Sequence, residues 1–338
     1  MLRTIAGLLA LAATGGGVSN PRPHERRFVF EYQAKVPAED GDVHLWVPIP
    51  HDDPYQKISN LQVQSSLPYK VETDALGNHI LSVETRQGGA AVTLRFECVR
   101  QEHLQPVTTV SERRVPELTP EERRHWLASD RLVPLDPKIR KWAREVVDAA
   151  GAKTDLEMAR AIYNHVVATV KYDKTGKGWG RGDIYYACDT RRGNCTDFHA
   201  IFIGYARAMG IPARFSIGFP IPTAHGSGTI AGYHCWAEFY AKGIGWVPVD
   251  ASEAAKDPTR REYFFGAHDE NRVEFTRGRD LRLKPRQAGE PLNYFIYPYA
   301  EAGGKPIENV AHVFTWKDEA PATATLNQGS LNQHGKAF

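Results

Sequence analysis

The sequence predicts an α+β fold: an N-terminal antiparallel β-domain, then a helical segment, then further antiparallel strands. Three observations carry this reading. Apolar and polar residues alternate in short runs from Arg27 to about Arg100. Helical periodicity with start and stop signals runs from Asp136 to Gly210, and strands separated by turn residues follow from Ala213. At 338 residues, 42% hydrophobic and 24% charged, the chain has globular composition and room for two domains. Its net charge of +2, with acids and bases interspersed, excludes a strong field for nucleic acid or an anionic membrane. No heptads, internal repeats or runs able to span a bilayer are present, so neither a nucleic-acid partner nor a stable membrane span is expected.

In chain order, residues 1–20 read as a secretory signal peptide. Met1-Leu2-Arg3 is a positive start, Ile5 to Ala13 is apolar, and small residues follow. The expected location is therefore exported, periplasmic or secreted. Residues 27–110 form the β-domain: Phe28, Phe30, Tyr32, Ala34 and Val36 alternate with polar residues, and Leu76-Gly77-Asn78 and Gln87-Gly88-Gly89 supply turns. His44 and Trp46 in this region are read as packing residues. A Pro-punctuated connector leads to a domain expected over residues 130–316, with its last strands as a C-terminal extension. The polar tail, 317–338, is expected to be disordered.

Asp136-Pro137 opens a first helix, ended by Gly151, and the capping box Thr154-Asp155-Leu156-Glu157 opens a second. A Gly-rich loop spans Lys174 to Asp183. The third helix begins at Cys195 after Gly193-Asn194. Phe198, Ile201, Phe202, Tyr205, Ala206 and Met209 give it one buried face, and Gly210-Ile211-Pro212 stops it. Free N–H groups and the positive dipole end at a helix start favour a thiolate, so Cys195 is a candidate nucleophile. The same N–H groups, that of Cys195 first, suit an oxyanion.

Strands at Gly232–Tyr240 and Gly245–Asp250 then form a hairpin. A three-residue loop, Ala241-Lys242-Gly243, with Gly243 in the left-handed conformation, pairs Tyr240 with Ile244. His234 then faces Asp250 at a Cβ separation of roughly 4.5–5.5 Å, where a carboxylate orients an imidazole. Glu238 lies about 13 Å further along the strand and is the poorer orienter. A two-residue loop would break this pairing.

Arg192-Gly193-Asn194-Cys195-Thr196-Asp197, Ala206 through Arg214, Gly232-Tyr233-His234-Cys235-Trp236-Ala237-Glu238-Phe239-Tyr240 and Gly245-Trp246-Val247-Pro248-Val249-Asp250 resemble the transglutaminase-like domain of bacterial proteins. The resemblance covers about Leu156 to Ala254. It implies a papain-like core, a Cys-bearing helix packed on an antiparallel sheet, with neither metal nor organic cofactor in catalysis. It also implies roles: Cys195 as nucleophile, His234 as general base, Asp250 as the orienting acid. Trp179 is an oxyanion candidate by chain order, against the blander reading of a loop anchor. No calcium loop of the animal-enzyme kind is present.

The other candidates have plainer readings. Cys195, His199 and His234 would make an incomplete metal site, and His199 is read as a satisfied polar residue. Asp197 is read as a cap, Cys235 as core on the sheet face opposite His234, and Arg214 as one half of a buried ion pair. With Cys195 reduced, the other three cysteines allow at most one disulfide, and whether Cys188 and Cys235 form it is open. The expected function is thiol-dependent acyl transfer at amide bonds of a polypeptide or other amide. It is either hydrolysis, as a cysteine peptidase, or transfer to an amine. The alternative is an inactive transglutaminase-fold binding or scaffold module of the cell envelope. Acyl transfer from a thioester, as in arylamine N-acetyltransferases, would call for helices where this chain has N-terminal strands.

Overall fold

A computed structural model describes residues 23–39, 41–105, 115–308 and 310–319. The expected signal peptide and the tail from 320 onward lie outside these residues. Among the described residues, no helix is long and apolar enough to cross a membrane.

The first half of the β-domain is a run of six strands: β1 (Glu25–Glu39), β2 (Val43–Ile49), β3 (Gln56–Ser65), β4 (Tyr69–Thr73), β5 (His79–Thr85) and β6 (Gly88–Gln101). Alternation along β1 buries Phe28, Phe30, Tyr32, Ala34 and Val36 on one face. Helices follow: α1 (Pro120–Trp126), α2 (Pro137–Ala149), α3 (Asp155–Thr169), α4 (Ile184–Thr190) and α5 (Cys195–Ala208). Strands β7 (Ala213–Pro220), β8 (His234–Ala241) and β9 (Gly245–Val249), helix α6 (Ala251–Lys256) and strand β10 (Arg272–Arg277) complete the second unit. Two late strands, β11 (Tyr299–Ala302) and β12 (Ala311–Asp318), return to the N-terminal region.

That return corrects the expected domain boundaries. β12 pairs antiparallel with β1 over eight residues, and β11 pairs with β2. The C-terminal strands therefore complete the two five-stranded sheets of the β-domain instead of extending the sheet that holds β7–β10. Lys317 and Asp318, assigned to the tail, are in β12, and Asp318 accepts from the buried Arg26 guanidinium. Each sheet covers the other's apolar face, which is how an amphipathic sheet becomes stable. Phe30 and Tyr32 from β1 meet Phe219 of β7, Phe275 of β10 and Phe314 of β12 at ring separations of 4.7–6.2 Å. This aromatic cluster joins the β-domain to the sheet that holds β7 and β10.

The four-stranded sheet has the order β9-β8-β7-β10, all antiparallel. Helix α5 packs on it, with α2, α3 and α4 behind. The sequence gives α5 one apolar stripe, but every residue from Cys195 to Arg207 is buried. Gly204 contributes to this: without a side chain it admits Ile184 of α4 and Val133 into direct contact. A helix enclosed on all sides is a rigid mount for its first residue.

Candidate active site

Asn194 caps α5. Its Oδ1 accepts from the Thr196 backbone at 3.0 Å, while Asp197 reaches back to the Asn194 N–H at 2.9 Å. This capping box sets Cys195 at the first helical position, where its own N–H has no intrahelical acceptor. Asp197 does more than cap. It also accepts from the backbone N–H groups of Gly180 at 2.7 Å and Gly182 at 3.0 Å. Both glycines have left-handed φ, +83° and +60°, a conformation that costs a side-chain-bearing residue energy. The Gly-rich loop is thereby clamped to the helix start, and half-buried Trp179 sits one residue from the clamp, with Lys174 over its ring. No hydrogen bond ties Trp179 to the sulfur among the described contacts.

His234 and Asp250 meet, though not in the expected register. Tyr240 faces Trp246 and Ala241 faces Gly245, so the loop is Lys242-Gly243-Ile244, with Gly243 at φ +78°. The ladder is displaced by two residues from the expected pairing of Tyr240 with Ile244. Because side chains alternate with period two, a shift of two keeps His234 and Asp250 on the same face, as diagonal neighbours. Asp250 lies just past β9, as the N-cap of α6, and its Oδ2 is 2.7 Å from His234 Nε2. That contact leaves Nδ1 as the ring nitrogen available toward Cys195, whose sulfur helps to hold the imidazolium. The three residues are almost sealed: Cys195 is 1% exposed, His234 6% and Asp250 0%.

Burial alone would raise the Cys195 thiol. Hydrogen bonds from Cys235 and His234, and the charge of His234, instead bring it well below the ordinary thiol value. Burial likewise opposes the His234 imidazolium, yet the Asp250 charge, its hydrogen bond and the Cys195 sulfur raise it to about 10. Asp250 is held well below the carboxylate range against its own burial by His234 and the Arg272 guanidinium. The site therefore favours thiolate and imidazolium together.

Several residues at the site were not legible in the sequence. Arg272, 2% exposed, donates to Asp250 Oδ2 at 3.2 Å, stacks over Trp236 and pairs with Asp269. An arginine at the first position of a strand that alternates polar and apolar residues gives no sequence signal of its target. Tyr172, Tyr233, Tyr294 and Tyr297 surround Cys195 closely enough that, after burial, its negative charge helps to raise their phenols. Two of these come from the C-terminal aromatic segment. Cys235 is core as expected, fully buried, and it is turned toward α5. Its sulfur is 3.7 Å from His199 Nδ1, so His199 also belongs to the site.

Other expectations are resolved as follows. All four cysteines are free thiols; Cys188 lies 3.5 Å from the Tyr205 hydroxyl, away from Cys235. Arg214 pairs with Glu238 at 2.6 Å, and Glu238 also approaches His103, so Glu238 does not serve His234. His199 and His234 turn their Nε2 atoms to opposite oxygens of Asp250 instead of converging with Cys195 on one point. His234, Asp250 and Glu253 are close enough to hold an ion, but the Asp250 oxygens already accept from His234, Arg272, Ser252 and the Glu253 backbone, while Glu253 pairs with Lys256. The donor set is spent on protons and an arginine, which does not fit a resident cation.

Comparison with known proteins agrees with the geometry. Residues 140–251 match the profile of the family described as transglutaminase-like superfamily. An uncharacterized protein of Haemophilus influenzae is 29% identical over 346 residues, spanning 90% of this chain and 92% of its own. The fold is similar to that of a “Putative Cysteine Protease” from Cytophaga hutchinsonii, with a TM-score of 0.56 and 14% identity, covering 87% of this chain and 98% of that one. The periplasmic domain of TgpA from Pseudomonas aeruginosa is less similar, with a TM-score of 0.39 and 16% identity over 70% of this chain and 90% of that domain.

Proposed function

Because residues 140–251 place this chain in the transglutaminase-like superfamily, we propose that it is a thiol enzyme that cleaves amide bonds through Cys195, His234 and Asp250. The observation that carries this reading is the buried 2.7 Å contact of His234 with Asp250 beside Cys195 at a helix start, in surroundings that favour the thiolate. In this mechanism the Cys195 thiolate attacks the amide carbonyl carbon. The backbone N–H of Cys195, free at the first helical position, donates to the developing oxyanion. His234 gives its proton to the departing amine, leaving an acyl-enzyme, and the neutral imidazole then draws a proton from the incoming nucleophile. Asp250 keeps the ring turned so that one nitrogen faces the sulfur throughout.

Water resolves the acyl-enzyme in this reading, giving a cysteine peptidase or amidase, and a primary amine would give transglutaminase-type transfer from the same intermediate. The substrate is a polypeptide or other amide, approached past the four tyrosines around the sulfur. The activity is assigned outside the cytoplasm on the strength of the N-terminal residues 1–20.

The test is incubation with a glutamine-containing peptide, with and without a primary amine, followed by mass spectrometry of products. Loss of ammonia with gain of water, or a cleaved backbone, is the hydrolytic result; an amine adduct is the transfer result. Cys195→Ala should abolish either, and Asp250→Asn should lower kcat by about 10³–10⁴-fold. Unchanged turnover in Cys195→Ala would remove the assignment.

A further inference from the structure

We propose that Cys235 is a resolving thiol for Cys195, so that a peroxide closes a reversible Cys195–Cys235 disulfide over the nucleophile. The proposal rests on reading Cys195 as a nucleophilic thiolate.

Because α5 packs on β8, Cys235 near the start of the strand lies against the first turn of the helix that Cys195 begins, touching His199 four residues on. Cys235 is completely buried and has no route to a substrate. Yet it is arranged like a reactive thiol. Its sulfur lies 3.7 Å from His199 Nδ1, and His199 Nε2 lies 3.7 Å from Asp250 Oδ1. Asp250 thus stands between two imidazoles, each leading to a different sulfur: His234 to Cys195 and His199 to Cys235. Acyl transfer uses only the first. His199 is fully buried, and its Nε2 has no hydrogen-bond partner, an expensive arrangement for a residue that only fills space. Burial, opposed in part by Asp250, lowers the His199 pKa and keeps the ring a neutral proton acceptor.

The chemistry balances with hydrogen peroxide as oxidant. The Cys195 thiolate attacks one peroxide oxygen, forming S–O as O–O breaks; sulfur is oxidised to sulfenic acid and oxygen is reduced. The departing hydroxide takes a proton from the His234 imidazolium and leaves as water. Cys195 is then uncharged, so the Cys235 thiol loses the anion beside it and can pass its proton to His199 Nδ1. The Cys235 sulfur attacks the Cys195 sulfur, S–S forms as S–O breaks, and the second hydroxide leaves as water with that proton. The sum is two thiols and one peroxide giving a disulfide and two waters. The disulfide intercepts the sulfenic acid before irreversible sulfinic acid forms.

The test uses the full-length reduced protein treated with hydrogen peroxide, alkylated, and digested without reductant for mass spectrometry. The expected product is a linked peptide pair containing Cys195 and Cys235, lighter than its parts by two hydrogens. Dithiothreitol should then restore alkylation of Cys195 in full. In Cys235→Ala the pair should be absent, and Cys195 should gain two or three oxygens and lose alkylation permanently. Cys188→Ala should retain the pair, which guards against a folding defect being mistaken for the effect. Sulfinic Cys195 in the wild-type protein with Cys235 still a free thiol, or a pair made through Cys98 or Cys188, would overturn the proposal. A Cys195–Cys235 pair in a protein that turns over no amide would uphold the disulfide and remove the catalytic reading; turnover without the pair would do the reverse.

Discussion

Asp250 is the residue on which the site converges. Its two oxygens accept from His234, Arg272, Ser252 and the Glu253 backbone, and the carboxylate has no exposed surface. Its charge fixes the protonation of its neighbours, and through them the pH dependence of folding. His234 is raised from an ordinary 6.5 to about 10, while Cys195 is lowered from 9.0. Between pH 6.5 and 9 the folded chain holds one proton more than the unfolded chain at His234 and one fewer at Cys195, so the two slopes cancel. Below 6.5 the unfolded histidine is also protonated, and stability falls with pH because only the folded state has released the thiol proton. Above 9 the unfolded thiol has ionised, and stability falls as pH rises through about 10 because only the folded state still holds the His234 proton. The stability difference between wild type and Cys195→Ala, from denaturant midpoints across pH, cancels the His234 slope that Asp250 maintains in both, so it should climb from pH 6.5 to 9 and level above 9. A difference that stays flat from pH 6.5 to 9 would contradict the thiolate. At this scale the sequence was informative about Cys195, His234 and Asp250, because helix starts and hairpin pairing are local. His199 was misjudged, Arg272 was missed, and Cys235 was placed in the core without its neighbour, because strand parity names a face without naming what packs on it.

At the scale of elements, the hairpin was right in its partners and wrong in its register. Gly243 does sit in a left-handed loop, but Gly245 at φ +97° shares the turn, and the ladder closes at Ala241–Gly245. Parity rescued the pairing, since a two-residue shift preserves the face and a one-residue shift would not. The clamp on α5 was only half legible: Asn194 and Asp197 read as a cap, but the two glycines of the loop on the same carboxylate did not. Asp197→Ala leaves three backbone N–H groups without their acceptor and should lower stability by about 3 kcal/mol. The same change should free the loop, measurable as faster amide exchange at Gly180 and Gly182 than elsewhere in the catalytic half. Unchanged exchange there would show that the loop is held by other means.

For the whole molecule, the decisive feature is that the chain ends where it began. β12 occupies the side of β1 opposite β6, and β11 extends the sheet of β2. Residues 27–110 looked like an independent domain because alternation is visible strand by strand, whereas pairing across almost 300 residues leaves no local mark. A fragment of residues 23–105 should therefore fail to give a cooperative thermal transition, exposing the β1 edge and the apolar faces of Phe314 and Trp316 partners. The full chain should melt as one unit through the Phe30–Phe219–Phe275 cluster. A fragment that melts cooperatively would show that the C-terminal strands are dispensable. The same closure brings Tyr294 and Tyr297, between β10 and β11, near enough to Cys195 to feel its charge, so the C-terminal segment contributes to both the β-domain and the site.

The central claim is the charge state of one sulfur, and its most direct measurement is the alkylation rate of Cys195 as a function of pH. A thiolate stabilised by His234 should react nearly as fast at pH 6 as at pH 8, far faster than Cys98, which burial keeps protonated. A rate that instead rises about tenfold per pH unit up to the ordinary thiol range would contradict the account.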